Sequence, residues 1–313
     1  MSSATRKTRA RKLAPSPAEP LAHQVLAGLA QHRIATTSQL RRMLRPDGTR
    51  QLMSRVLNRL RSDGFVDCTV LPDANRTRTH AWYLTQEGAR LTRDLPVLRG
   101  RPPYPITSAT AASLKTPHTL AVVRAHLAFA ADARRLGHEH GPWDWTPEVS
   151  HSIGEGERIV ADAVMYYTAV ESEHRRKLSA FVEVDRSTMS SERLAVKLIE
   201  YARLFQYEAQ PVGRRRQASV GPAWLRWYPL FPRVLFVLTG ASRARLENRM
   251  SDLQAMVAQH PLVAGFAREV RLGAAVLEDL EQHGPAQDVW MPLVGGKPRP
   301  WTDLCVAVAN AKC

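Results

Sequence analysis

The chain has 313 residues, 44% of them apolar, a formal net charge of +15 and a pI near 10.4. That length and apolar share allow two domains, each with its own core; no apolar run approaches the roughly 20 residues of a membrane span, and the start lacks the apolar stretch of a secretory signal. Cys68, Cys305 and Cys313 form no CxxC pair, so neither a zinc cage nor a disulfide framework is indicated, and a reducing cytoplasm is the expected compartment.

Strong basicity points to a polyanionic partner. Arginine outnumbers lysine 37 to 7, a bias that G/C-rich codon usage can produce, so the distribution of charge is the sharper signal. Residues 1–100 hold 18 Lys and Arg against 7 Asp and Glu, which places +11 of the +15 in the first third. Residues 1–20, with Arg6, Lys7, Arg9, Arg11 and Lys12 ahead of three prolines, have almost nothing to bury and read as a disordered basic arm.

From Leu21 the apolar residues recur at helical spacing, predicting a first helix to about His32. ATTSQL offers Thr37 or Ser38 as the cap of a second, short helix, and Pro46-Asp47-Gly48 is a turn. A third helix is expected over about Thr49 to Ser62, with Leu52, Val56, Leu57 and Leu60 inward and Arg50, Gln51, Ser54, Arg55, Asn58 and Arg59 largely outward. FVDCTVL and HAWYLT then read as a two-stranded hairpin with Arg76 and Arg78 near its tip. Three helices and a two-stranded wing describe a winged helix-turn-helix over 21–95, whose third helix would enter the major groove of double-stranded DNA. Arg50, Gln51, Ser54, Arg55 and Arg59 are the candidate contacts there, with Arg76 and Arg78 on the backbone. The same fold used only for protein contacts is the plainer alternative.

Residues 96–111, with the RGRPPYP run, are expected to be a linker, 112–285 a second domain and 286–313 a carboxy-terminal tail. KTPHTLAVVRAHLAFAADARR predicts a helix carrying His118 and His126, which at helical positions are more often packing residues than ligands. His138 and His140, beside glycines, look like solvated loop residues. Strands are expected at about 158–169 and 178–185, separated by the charged ESEHRRK, then a helix capped by Ser190 or Ser191, the strand RVLFVLTG, another helix and a short strand near VRLG. This order predicts an α+β or α/β domain around a central mixed sheet flanked by helices.

The most informative stretch is FVEVDRSTMSSERLAVKLIEY. Strand alternation puts Glu183 and Asp185 on one face, the following helix carries Lys197 and Tyr201, and Asp162 lies in the upstream strand. Three acids meeting where two strands adjoin would suit a hard divalent cation such as Mg²⁺. The competing reading is a salt-bridge network with Lys197 or Arg186. Further on, Arg214, Arg215 and Arg216 precede Trp224, Trp227 and Tyr228, combining charge for phosphates with rings that can stack on bases. A solvated loop with its aromatics tucked against the core is the alternative.

AWYLTQEGARL, KTPHTLAVVRAHL, WTPE, IVADAVMYY and FVEVDRST…KLIEY together resemble the replication-relaxation family of actinobacterial plasmids and integrating elements, over about residues 21–285. The resemblance implies a cytoplasmic DNA-binding protein tied to plasmid replication or conjugative DNA processing, working with replication or transfer proteins. It also implies a restriction-endonuclease-like second domain, related to the PD-(D/E)xK nucleases. On that pattern Asp162 and Glu183 match the two motif acids and would hold Mg²⁺ if the domain is catalytic, with Glu148 as a further member of the metal shell. Asp185 stands where the motif wants lysine, and Lys197 would substitute from the next helix. An accessory DNA-binding role leads; a Mg²⁺-dependent endonuclease or nickase and a winged-helix transcription regulator are the alternatives.

Overall fold

Three amphipathic helices open the folded chain because each keeps its apolar residues on one stripe. In the computed structural model, which describes residues 20–71, 79–98, 106, 109–171, 174–188, 190–208 and 221–307, they are α1 (Leu21–His32), α2 (Thr37–Leu44) and α3 (Arg50–Ser62). Leu26, Leu29, Leu40, Met43, Met53, Leu57 and Leu60 close into one core between them. The cap of α2 is Thr36, not Thr37 or Ser38. Its hydroxyl accepts from the Gln39 N–H at 3.2 Å while Gln39 Oε1 accepts from the Thr36 N–H at 2.9 Å, a reciprocal capping box. Thr37 instead accepts from the buried Trp82 indole N–H at 2.9 Å.

On α3 the buried positions are Met53, Leu57 and Leu60; Leu52, expected inward, is 39% exposed because the stripe runs through the i, i+4 and i+7 positions from Met53. The expected two-stranded ribbon gains a third strand. β1 (Ile34–Thr36) pairs with β3 (Thr79–Leu84), which pairs with β2 (Val66–Leu71), all antiparallel. The segment joining β2 to β3, with Arg76 and Arg78, lies outside the described residues, as do the arm through residue 19 and the 99–105 run. Thr85 caps α4 (Gln86–Thr92) by accepting from the Gly88 N–H at 3.1 Å.

The helix α5 (Ala109–Leu136) begins inside the expected linker. Val123 and Leu127 complete the core of the amino-terminal helices, whereas Ala125, Ala128 and Phe129 pack against the second sheet, so one helix belongs to both units. That sheet is mixed. Its strands β4 (Trp145–Gly154), β5 (Glu157–Glu171), β6 (His174–Asp185), β7 (Arg233–Leu238), β8 (Leu272–Val276) and β9 (Met291–Pro292) lie side by side in chain order. β6, β7 and β8 run parallel and the other pairings are antiparallel. α6 (Ser191–Gln206), α7 (Arg243–Gln259) and α8 (Pro261–Phe266) cover one face, and α5 with α9 (Leu277–His283) covers the other.

Two expectations change here. ESEHRRK is mostly strand, since β5 extends to Glu171 and β6 starts at His174. Residues from 286 onward are not a loose tail as far as 307, because β9 extends the sheet and Trp290 and Trp301 are completely buried. Cys68 is a free thiol and Cys305 is disulfide-bonded.

Histidines seal the junction between the units. His32 from α1 stacks on His126 of α5 at 5.0 Å, His126 stacks on Trp145 of β4 at 5.1 Å, and His140 meets His126 edge-on at 5.3 Å. His140 is therefore no solvated loop residue: it is buried, and its Nδ1 donates to the Tyr166 carbonyl at 2.7 Å. His138 is half-buried against the Tyr167 hydroxyl at 2.8 Å. Burial lowers the pKa of His32 to about 4, that of His126 well below the ordinary value, with the two neighbouring imidazoles adding to it, and that of His140 despite the nearby Asp144.

Below the ordinary histidine pKa of about 6.5 the unfolded chain takes up protons that these folded rings refuse, so stability present at neutral pH is lost as pH falls from about 6.5 towards about 4. His32 alone should cost about 2 kcal/mol between pH 7 and pH 5. Denaturation midpoints measured across that range should fall with acid in the wild type and fall less in His32→Phe, which keeps a stacking ring but cannot titrate; equal slopes would remove His32 from the account.

Candidate functional site

Period-two alternation fails at one place in β5, and the acids are arranged around it. Ile159 and Ala161 pack under α6 and α7, but Ala163, Met165, Tyr167 and Ala169 pack under α5, so the strand changes faces at Asp162. Opposite it in β4, Glu148 has a left-handed backbone with φ +49°, a conformation costly for a residue with a Cβ. The β5–β6 ladder ends at Ala163 and Val182, and the Asp162 carboxylate takes over: its Oδ2 accepts from the Val184 N–H at 2.7 Å.

The other oxygen, Oδ1, lies 3.1 Å from Nε2 of His118 on α5, and this bond is the main cause of a raised His118 pKa. Asp162 thus turns towards α5. Glu183 turns towards α6, where its Oε1 accepts from the Tyr201 hydroxyl at 2.6 Å and Lys197 Nζ sits 3.5 Å away. Lys197 also donates to the Val160 carbonyl at 2.8 Å, tying the α6 lysine to the strand that carries Asp162. Glu183 is 4% exposed; burial, reinforced by the Asp162 charge, pushes its pKa up to about 8 against the pull of Lys197 and Tyr201. A proton is retained there at neutral pH.

Asp185 does share a face with Glu183, as alternation requires, but it leaves the group. It is 1% exposed and ion-paired with the equally buried Arg249 of α7 at 2.6 Å, while its Oδ1 accepts from the Ser187 N–H at 3.0 Å. Of the expected salt-bridge network, Lys197 pairs with Glu183 at 3.5 Å, whereas the partner of Asp185 is Arg249 in place of Lys197 or Arg186. Arg249 escaped the sequence reading, although it occupies a position in the apolar stripe of Leu246, Met250, Leu253 and Val257 where a solvated arginine would be out of place. Among the described residues no three His, Cys, Asp or Glu side chains converge so as to hold a metal ion.

Strain gathers at the same corner. Arg33, Glu148 and Ser187 are three of the four non-glycine residues with positive φ among the described residues. Arg33 and Glu148 form an ion pair at 2.6 Å, linking the end of α1 to β4, and both line a narrow cleft with His118 and Asp162. Glu148 is thereby engaged by the amino-terminal unit instead of joining Glu183.

A second candidate surface is the outer side of α3, where Arg50, Gln51, Arg55 and Arg59 are exposed and Ser54 is half-buried. Asp63 approaches Arg59 only at 3.9 Å. Beyond α6, Arg214, Arg215 and Arg216 lie outside the described residues. Of the rings that follow, Trp224 and Tyr228 are buried and Trp227 is 54% exposed.

A family model for replication-relaxation matches residues 26–215, from within α1 to beyond α6. The chain belongs to the replication-relaxation family. No curated protein and no solved structure matches it. The family match takes in Asp162, Glu183, Asp185 and Lys197 but stops short of Arg249, so this replication-relaxation protein pairs Asp185 with a residue outside the matched segment. No helix of the described residues is long and apolar enough to cross a membrane.

Removing one partner of a buried ion pair leaves an uncompensated charge. Arg249→Ala should therefore lower the unfolding free energy by about 3–5 kcal/mol in urea titrations, and the joint replacement Asp185→Leu with Arg249→Met should restore most of it. A loss within the noise for Arg249→Ala would mean that the pair does not hold α7 to the sheet.

Proposed function

We propose that this protein is a DNA-binding accessory factor, in which residues 21–95 act as a winged helix on double-stranded DNA and the second unit is a restriction-endonuclease-like scaffold serving that complex. Membership in the replication-relaxation family ties the chain to replication or relaxation of plasmids or mobile elements. The observation that carries the DNA reading is α3: one side is anchored in the core by Met53, Leu57 and Leu60, and the other presents Arg50, Gln51, Arg55 and Arg59 to solvent. A helix so placed, followed by an antiparallel ribbon, suits major-groove entry, with the arginines on base edges and phosphates. Replication or transfer proteins are the partners that this role calls for.

Gel shifts on duplex DNA at fixed salt check the reading. The triple variant of Arg50, Gln51 and Arg55 to alanine should bind at least tenfold more weakly, since a single good base contact is worth about 1–3 kcal/mol. Undiminished affinity would remove α3 from the interface.

Mg²⁺-dependent cleavage is a second reading, favoured by Lys197 standing 3.5 Å from Glu183 with Asp162 close enough to raise its pKa. The donor set fits a metal poorly. Both Asp162 oxygens already have partners and Asp185 is held by Arg249. No step is derived through a metal, and the accessory role is the conclusion. Supercoiled plasmid incubated with the protein and Mg²⁺ or Mn²⁺ should stay supercoiled; nicked or linear product that disappears in Asp162→Ala and Glu183→Ala would replace the accessory reading with the enzymatic one.

A further inference from the structure

Residues 221–230 form a short turn whose three aromatic rings have separate fates. Trp224 donates its indole N–H to the Phe205 carbonyl at 3.0 Å and stacks on the Phe205 ring at 5.9 Å. Tyr228 is buried with its hydroxyl 3.0 Å from His151 Nε2. Both are consumed by the core beneath α6. Trp227 is not: more than half of it is exposed, and among the described residues no other tryptophan is so open.

Its position is nonetheless fixed. The backbone N–H of Trp227 closes the 3₁₀ turn Ala223–Arg226 by donating to the Trp224 carbonyl at 3.0 Å, and the ring rests against His151 of edge strand β4 at 5.2 Å. A ring supported from one side and open on the other loses little freedom when something stacks on it.

The charge around it selects the occupant. Two exposed arginines lie by the ring. Arg226 is exposed immediately beside Trp227, and Arg158 is near enough for its charge to act on His151 beneath the ring. Leu225 and Leu230 are exposed on the same turn, but a flat ring flanked by arginines matches a strand whose bases are free to stack and whose phosphates need neutralising.

We propose that Trp227, with Arg226, is a stacking platform for unpaired bases of single-stranded DNA. It deepens the DNA-binding reading but uses a different face and a different form of DNA from α3. Stacking needs no particular base, so the platform takes strands of any sequence, which suits a protein acting where a duplex is opened.

The test uses the full chain and fluorescence anisotropy with a labelled oligo(dT), beside the duplex gel shift. Trp227→Ala should weaken oligo(dT) binding by about tenfold or more, Trp227→Phe should retain most of the affinity, and Arg226→Ala should reduce the salt dependence. Duplex binding and the thermal midpoint should be unchanged in all three. Unchanged oligo(dT) affinity in Trp227→Ala, or none in the wild type, overturns the proposal. So does a dimer-to-monomer shift of Trp227→Ala in size-exclusion chromatography, which would make the patch a contact between copies. Because the α3 variant is scored on duplex alone, failure of either reading is seen separately.

Discussion

The hydrogen bond from the Val184 N–H to Asp162 Oδ2, at 2.7 Å, is where the second unit departs from an ordinary sheet. Beyond Ala163 and Val182 the β5–β6 ladder stops, and a side chain supplies the acceptor that the neighbouring strand no longer offers. A buried backbone N–H without a partner would cost about 1–3 kcal/mol, so the carboxylate repairs the rupture that lets β5 change faces. Replacing Asp162 by an apolar residue would therefore expose a backbone donor as well as remove a charge. The same carboxylate holds His118 at 3.1 Å, so strand geometry and imidazole orientation depend on one side chain.

Charge around this rupture is arranged by depth. Asp185, deepest, is neutralised by Arg249. Glu183, nearly as deep, has only Lys197 at 3.5 Å and the Tyr201 hydroxyl, which are insufficient to offset burial, and its pKa rises to about 8. Since the unfolded chain would release that proton near the ordinary carboxylate range, Glu183 opposes stability progressively as pH rises from about 4.5 towards about 8. The histidine stack acts in the other direction, weakening the fold as pH falls. Neutral pH is thus a compromise between a buried acid that resists ionisation and buried imidazoles that resist protonation.

Much of the architecture was readable because it rests on periodicity. The alternation of β6 and the shared face of Glu183 and Asp185 follow from spacing alone, whereas on α3 spacing found Leu57 and Leu60 but took Leu52 for Met53. What could not be read was where the alternation breaks. Nothing in IVADAVMYY announces that Asp162 marks a change of face, because that depends on Glu148, 14 positions earlier, adopting φ +49° across the ladder. The separation of the acids had the same origin: a lysine about two turns along α6 was visible as a partner, but Arg249 reaches Asp185 only because β7 and α7 fold back beside β6. Trp290 and Trp301 were likewise illegible as core, since their burial depends on β9 closing the sheet after a stretch with weak local pattern.

The helix α5 decides how the two units can influence one another. Its Val123 and Leu127 lie in the amino-terminal core and its Ala125 and Phe129 in the sheet core, so a displacement of the helix cannot loosen one packing without the other. Polar contacts fix the register: Gln39 donates to the Leu120 carbonyl at 3.0 Å, Gln31 donates to the Trp145 carbonyl at 2.5 Å, and Arg33 reaches Glu148 at 2.6 Å. The last contact reaches the corner where the acids lie. Arg33 ends the first helix of the proposed DNA reader, Glu148 is the strained residue opposite Asp162, and His118 on α5 is bound to Asp162. Packed side chains and one ion pair thus connect the end of that helix to the place where β5 and β6 part. Under the proposed function, the helices that would hold the duplex therefore share one packed helix and one ion pair with the corner that carries the acids.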